Sequence, residues 1–365
     1  MDQRLTVAEI RRKADNVLPG HGTIQSTADR LRAMADRIPA DVMPDTYGEG
    51  AFLQAFEAEV ARTLGKADAV FMPSGTMAQQ IALRIHCDRA GQSTVAMHPT
   101  THLEIAEQGG LAFLHGIQRL RFGNVELLDN RMLTVSDFEN LGVPCGAVLL
   151  ELPYRPLGGK LPDWESLTAI SGWARDNGVA IHLDGARLWT CEPYYGRSVK
   201  DITALFDSVY VSFYKDLGGI AGCMLLGDEG FIAESRVWQR RYGGNLHDQG
   251  PFVAAAWIGF HDERPHLPDR VARAVEIAAA FSAYPGVRVD PDPPHVNFFR
   301  LYLPGDATDL TARHHELADE TGTFLFGGLA PATVPGYATT EIHCFGASAS
   351  FDLERLRAFL PRLLG

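Results

Sequence analysis

The chain has 365 residues, a formal net charge of −12 and a sequence pI of about 5.5. That acidity argues against a nucleic-acid partner or an anionic membrane surface, and no apolar run approaches membrane-spanning length. Hydrophobic residues make up 46% of the chain, enough for a large core and a smaller second one.

Residues 1–45 read as an N-terminal helical segment, two charged helical stretches around the loop LPGHGTIQS. The start is too charged for a signal peptide. Five cysteines without a CxxC pair (Cys87, Cys145, Cys191, Cys223, Cys344) read as reduced thiols, which fits the cytoplasm. ADAVFMPSG predicts a strand running into a turn, and TMAQQIALRIHCDRA a helix. STVAMHP, GAVLLELP, VAIHLD, DSVYVSFYK and AGCMLLGD are further apolar strands. Most are separated by helical patterns such as DWESLTAISGWARDNG, whose closing Asn177-Gly178 is a helix C-terminal signal. This alternation predicts an α/β domain over residues 46–255, a mostly parallel sheet sandwiched by helices. GFIAESRVWQRRYGG reads as helical, as does the stretch from Pro251 to Tyr284, interrupted near its prolines. After the Pro-rich PDPPHVN come the strand VNFFRLYL, a helix from about Asp306 to Thr321, the strand TEIHCFG and a last helix. These predict a smaller C-terminal α+β domain over residues 256–365.

Three places carry chemistry. In VAIHLDGARLW, residues 179–189, a buried strand ends on Asp184. The carboxyl ends of parallel strands hold ligand sites, but an acid there reads equally well as a helix N-cap. In FYKDLGG, Lys215 closes another apolar strand. A surface lysine is the ordinary reading; a desolvated one has a lowered pKa and forms a Schiff base with a carbonyl. In MPSGTMAQQ, Ser74, Gly75 and Thr76 stand between a strand and a helix, as a simple cap or as a phosphate cradle of N–H groups, hydroxyls and helix dipole. Together the three match what pyridoxal phosphate requires: a lysine for its aldehyde, donors for its phosphate and a carboxylate for its pyridinium nitrogen. The order of cradle, acid and lysine is that of the aspartate-aminotransferase-like superfamily.

The motifs YGEG (Tyr47 to Gly50), MPSGTMAQQIAL, THLEIAEQGG, HLDGARLW and the lysine strand followed by GGIAGCMLLG span most of residues 45–230. They resemble the low-specificity threonine aldolase and aromatic amino acid β-eliminating lyase family. The resemblance implies fold type I, pyridoxal phosphate, a small-molecule amino acid substrate, and a homodimer or homotetramer with a shared active site. It implies that Lys215 holds the cofactor, that Asp184 pairs with the ring nitrogen, and that Ser74, Gly75 and Thr76 hold phosphate. His102 would stack on the ring and serve in acid–base chemistry, although it also reads as a plain helix-start histidine. Arg187 would meet the substrate carboxylate, a bidentate task suited to guanidinium. Tyr47 and His21 fall at the substrate and His247 at the cofactor. His98 lies four residues before His102, but no cysteine or carboxylate completes a set nearby, so no metal is expected. The implied reaction is retro-aldol cleavage of a β-hydroxy-α-amino acid to glycine and an aldehyde. β-Elimination, transaldolation or transamination would use the same cofactor site. A catalytically weak binding relative is a third reading, against which Lys215, Asp184 and His102 stand.

Several positions depart from the family pattern. An Arg-Ser-Asp-type segment near the N-terminus falls on VLPGHGTIQS, with His21, Gly22 and Thr23 roughly in its place. Counting back from His343, a C-terminal arginine falls near Thr339. A further arginine, in a Gly-Gly-Gly-Met-Arg-Gln-like segment, is replaced within YGGNLHDQG by His247. The serine usual before the lysine is Tyr214. A charge-assisted bond contributes about 1.5–3 kcal/mol, so another cation (Arg155, Arg240 or Arg241) substitutes or the substrate preference is non-standard.

Overall fold

The computed structural model describes residues 5–21, 26–122 and 131–365. They divide into two compact units, a larger one within residues 31–156 and 161–265 and a smaller one within residues 1–30, 157–160 and 266–365. The segments around Gly22 and Thr23 (residues 22–25) lie outside the described residues.

The larger unit holds a seven-stranded sheet among the described residues. Its strands are β1 (Asp68–Met72), β2 (Thr94–Met97), β3 (Gln118–Arg121), β4 (Ala147–Glu151), β5 (Ala180–Gly185), β6 (Ser208–Ser212) and β7 (Cys223–Gly227). The order is β1-β7-β6-β5-β4-β2-β3. Strands β2 to β6 run parallel, and β7 lies antiparallel between β6 and β1. Strands β4, β6 and β7 are buried along their whole length, as expected of strands covered on both faces. Helix Gly75–Ala90 packs Ala78, Ile81, Ala82 and Ile85 against Val70, Tyr210 and Leu225 of the sheet. Gly91, at φ 62°, ends it in the left-handed conformation that a side chain would strain. Strand β3 was not among the expected strands, because its sequence QRLR is polar: it is an edge, paired on one side only.

Register sets the chemistry. Glu151 of β4 is paired with Asp184 of β5, and Asp184 with Tyr210 of β6. Leu149, His182 and Ser208 are matched in the same way two residues earlier. Paired residues on neighbouring strands share a face and alternate residues repeat it. Two rows of side chains therefore cross one face of the sheet.

The main stretch of the smaller unit begins at residue 266, where the expected small domain began at 256. Helix Gly250–Asp262 stays with the larger unit, because Phe260 packs its ring against Phe56, Phe213 and Trp189. Residues up to 30 group with the smaller unit and those from 31 with the larger. Asn16–Val17 pairs in parallel with Thr323–Phe324, and the Asn16 side chain accepts from the Asp352 N–H at 2.8 Å. These backbone bonds tie the first residues to the smaller unit. That unit has an antiparallel sheet ordered Ala330–Pro331, Tyr337–His343, Phe298–Pro304, Arg288–Asp290. Helices Leu267–Ser282, Ala307–Thr321 and Leu353–Leu364 surround a core that includes Phe281, Phe299, Leu301, Leu356 and Phe359. Among the described residues no helix is long and apolar enough to cross a membrane.

Candidate active site

Helix Gly75–Ala90 begins where β1 ends. Its first N–H groups have no carbonyl within the helix to bond, and the positive end of its dipole lies there. Ser74 is the N-cap residue (φ −140°, ψ 133°), yet its hydroxyl makes no cap bond among the described residues. Hydroxyl and N–H groups are thus left for an anion. Gly75 has to be glycine: a Cβ there would stand 2.1 Å from the Tyr210 hydroxyl.

Asp184 is buried at the carboxyl end of β5. It accepts the Ala186 N–H at 3.1 Å. It is not the helix cap of the alternative reading, because the next element is the 3₁₀ turn Leu188–Thr190, whose N-cap is Arg187. Burial raises its carboxyl above the usual range, against the pull of Lys215. Beside it in register is Glu151, a second buried acid that the sequence reading passed over. Burial, followed by the charge of Asp184, pushes Glu151 up to about 8. Lys215 follows β6 by three residues and is half-buried. Burial holds its amine below the ordinary lysine range, while Asp184 opposes that shift.

His102 starts the short helix His102–Ile105. Two carboxyl groups hold it. Its backbone N–H donates to Glu151 Oε2 at 3.2 Å, and its Nδ1 lies 3.0 Å from Glu107 Oε1. Glu107 is buried, and its other oxygen accepts from Gln80 Nε2 at 3.2 Å. With Glu107 accepting at Nδ1, the neutral His102 ring carries its proton there and keeps its lone pair on Nε2. The Glu107 bond raises the His102 pKa, with burial acting against it and Asp184 adding to it.

The remaining expected residues are distributed differently. Arg187 is largely buried, with Nε 4.0 Å from Asp216 Oδ1. Tyr47 and His247 are exposed and meet each other, ring centroids 5.1 Å apart, and the Tyr47 N–H donates to the His247 carbonyl at 2.9 Å. Their turn is organised by buried Asp45, which accepts from the N–H groups of Gly48 and Gly50. Of the candidate cations, Arg240 lies over the Tyr47 ring and Arg241 over Trp238. Arg155 contributes its backbone N–H to Glu151. In the smaller unit, the Thr339 hydroxyl donates to the Leu301 carbonyl at 3.0 Å within the sheet. His21 stacks on Phe345 at 4.2 Å, and Phe345 in turn on His343. The larger unit therefore brings together Lys215, Asp184, His102, Glu151 and Glu107, with the cradle reached through Tyr210. This donor set suits pyridoxal phosphate: a lysine amine with a depressed pKa, a buried acid beside it, and an anion site at a helix start.

A family model described as beta-eliminating lyase matches residues 25–303. Low-specificity L-threonine aldolase 1 of Arabidopsis thaliana is 28% identical over 316 residues, covering 84% of this chain and 86% of the relative. Alanine racemase TOXG of Cochliobolus carbonum is 29% identical over 273 residues, 69% of this chain and 67% of its own. The crystal structure of a Listeria monocytogenes protein, provisionally an L-allo-threonine aldolase, is 39% identical, covers 98% of each chain and gives a TM-score of 0.92.

Proposed function

The chain belongs to the beta-eliminating lyase family, and from that membership we propose that it is a pyridoxal-phosphate-dependent lyase cleaving a β-hydroxy-α-amino acid to glycine and an aldehyde. The observation that carries this reading is the convergence of Lys215, Asp184 and His102, close enough to shift one another's protonation. Lys215 would hold the cofactor's aldehyde carbon, Asp184 its ring nitrogen, and Ser74, Gly75 and Thr76 its phosphate. When bound, pyridoxal phosphate supplies an electron sink for the bonding pair of the Cα–Cβ bond that breaks.

The chain's own residues do the rest. Burial raises the share of Lys215 that is neutral, the form that adds to a carbonyl. His102 offers Nε2 to the β-hydroxyl proton, while Glu107 fixes the ring through Nδ1. Asp184 favours a protonated ring nitrogen by its charge. Arg187 binds the substrate carboxylate, and Tyr47 and His247 are proposed as outer contacts to substrate or cofactor. The sequence has Thr339 where the family's motif counts an arginine, and this departure supports a non-standard substrate preference.

A cytoplasmic homo-oligomer with a shared site is part of the proposal. Its support is the five buried, free cysteines and the exposed apolar side chains of Ile105, Phe113 and Leu114 just after His102. The alanine racemase among the relatives favours a second reading, proton exchange at Cα on the same residues. To test the first, the chain is loaded with pyridoxal phosphate and given threonine and phenylserine. Wild type is expected to develop a visible absorption band and release aldehyde, and Lys215→Ala to do neither. A variant that keeps both would remove the reading.

A further inference from the structure

We infer that Gln80 and Tyr242 are positioning residues for His102, holding the Glu107 carboxyl group as an acceptor at His102 Nδ1. The inference rests on the role proposed above for His102 and extends it to side chains that act on the ring through Glu107.

A line of hydrogen bonds leads away from His102. Glu107 accepts on both oxygens, from His102 Nδ1 at 3.0 Å and from Gln80 Nε2 at 3.2 Å. Gln80 Oε1 accepts from the Tyr242 hydroxyl at 3.4 Å, and that hydroxyl also meets His115 Nε2. A phenol has one proton to give. Tyr242 gives its proton to Gln80, so His115 Nε2 donates to the phenol oxygen. His115 Nδ1, buried and without a partner among the described residues, then carries a lone pair. Burial, reinforced by Arg84, lowers the His115 pKa and favours that neutral ring. Burial pushes the Tyr242 phenol up to about 12, so it keeps its proton. His115, Tyr242 and Gln80 therefore donate in series toward Glu107.

The amide is the link that can be reversed. Turned over, Gln80 would set its oxygen against Glu107 Oε2, and two acceptors would face each other unless the acid took up a proton. Tyr242 opposes that rotation by donating to Oε1. The backbone is shaped around the same amide. A Cβ on Gly110 would lie 2.4 Å from Gln80 Nε2 and 3.1 Å from its Cδ and Oε1. The amide, on a side chain 3% exposed, thus rests on Gly110, where glycine leaves the room. The turn from Glu107 to Gly110 passes through Gln108 (φ 53°) and Gly109 (φ 72°). Such a conformation is strained for Gln108, and it places Glu107 and Gly110 against one amide. The closing glycines of THLEIAEQGG gain a use in this way. Besides Glu107, the charged groups that face His102 are Asp184 and Lys215, and its N–H bonds Glu151.

The test is nuclear magnetic resonance of the full chain with ¹⁵N in its histidine rings, free of cofactor and again loaded with pyridoxal phosphate. The His102 signals, identified by their loss in His102→Asn, show which nitrogen holds the proton and the pH at which the second proton is gained. Gln80→Met keeps the side-chain length and removes both polar atoms; Tyr242→Phe removes one oxygen and keeps the ring. A buried acid that loses a donor turns toward its neutral form, which no longer favours a charged imidazole. Both variants are therefore expected to move the His102 midpoint to lower pH, with the acid limb of activity following. The change in proton affinity should be about tenfold for Gln80→Met and smaller for Tyr242→Phe. Added to Glu107→Gln, Gln80→Met should move the midpoint no further, because its effect passes through Glu107. Tyr242→Phe carries the test if Gln80→Met does not fold. A midpoint unchanged or raised in the single variants, or a full further shift in the double variant, overturns the inference while leaving the cofactor reading in place. If wild type forms no visible band with pyridoxal phosphate, the cofactor reading falls and this inference with it.

Discussion

Two rows of side chains cross the same face of the central sheet, two residues apart along the strands. The inner row, His182 and Ser208 beside Leu149, extends to His86 and Gln79. The outer row is Glu151, Asp184 and Tyr210, with Lys215 and His102 beside it. Both rows are buried and polar, and they differ in charge. In the inner row the Gln79 oxygen can only accept, which fixes the protons along the chain. His182 Nε2 donates to it at 2.7 Å, Ser208 donates to His182 Nδ1 at 2.7 Å, and His86 Nε2 donates to Ser208 at 2.6 Å. Burial lowers His86 to about 4 and holds His182 well below its ordinary value, so both rings are neutral. In the outer row burial raises two acids and lowers a lysine, and these groups are balanced chiefly against one another. Burial of polar groups alone therefore does not mark a site. Ionisable groups at odds with their surroundings do.

The largest expected effect comes from removing an outer-row charge. Asp184→Asn is expected to keep the cofactor band and to lower kcat about 10²–10³-fold, by analogy with lost oxyanion donors. Steady-state rates at saturating cofactor decide it, and activity near wild type would return Asp184 to a turn-forming role.

Next is Glu107→Gln, expected to lower kcat about tenfold to a hundredfold. The pH profile separates positioning from simple damage. His102 acts as a base when neutral, so activity falls as the pH drops through its pKa. Glu107 raises that pKa, so the variant's acid limb should move to lower pH. A limb that stays in place would separate Glu107 from His102.

Glu151→Gln addresses stability. The folded chain keeps the Glu151 proton up to about 8, while an unfolded glutamate releases it near its ordinary 4.5. Between those values the folded state binds more protons, so this contribution is full below the lower value and declines as pH rises to the upper one. Thermal unfolding of Glu151→Gln should lose that part of the decline. An unchanged slope of Tm against pH would contradict it.

The smallest effect on activity is expected in the inner row. Ser208→Ala breaks a neutral chain and should cost about 1–3 kcal/mol of stability, seen as a lower Tm, with kcat unchanged. A loss of kcat comparable to that of Asp184→Asn would erase the distinction between the rows.

What could be read from the sequence follows the same physics. Asp184, Lys215 and the Ser74–Thr76 turn stand out because each breaks an apolar strand with a polar residue at its end. Glu151 carries the same signal in AVLLE and could have been found by the same rule. Glu107 could not: it lies five residues after His102, across the end of a four-residue helix, where no periodicity links them. The direction of β7 is silent in CMLLG, because a strand buried on both faces has the same pattern either way. The pairing of Asn16–Val17 with Thr323–Phe324 is a matter of backbone bonds and leaves no side-chain pattern. The contact between the Tyr47 and His247 rings was likewise not legible in their motifs. Spacing along a chain of turns carries little information about such contacts.

The central claim is that the outer row directs cleavage of the Cα–Cβ bond. The direct measurement is the product balance of the cofactor-loaded wild type on a β-hydroxy-α-amino acid, phenylserine or threonine, with glycine and aldehyde determined in the same reaction. Glycine and aldehyde in equal amounts are the expected result. Ammonia with a keto acid, or an isomerised substrate without aldehyde, would contradict the claim.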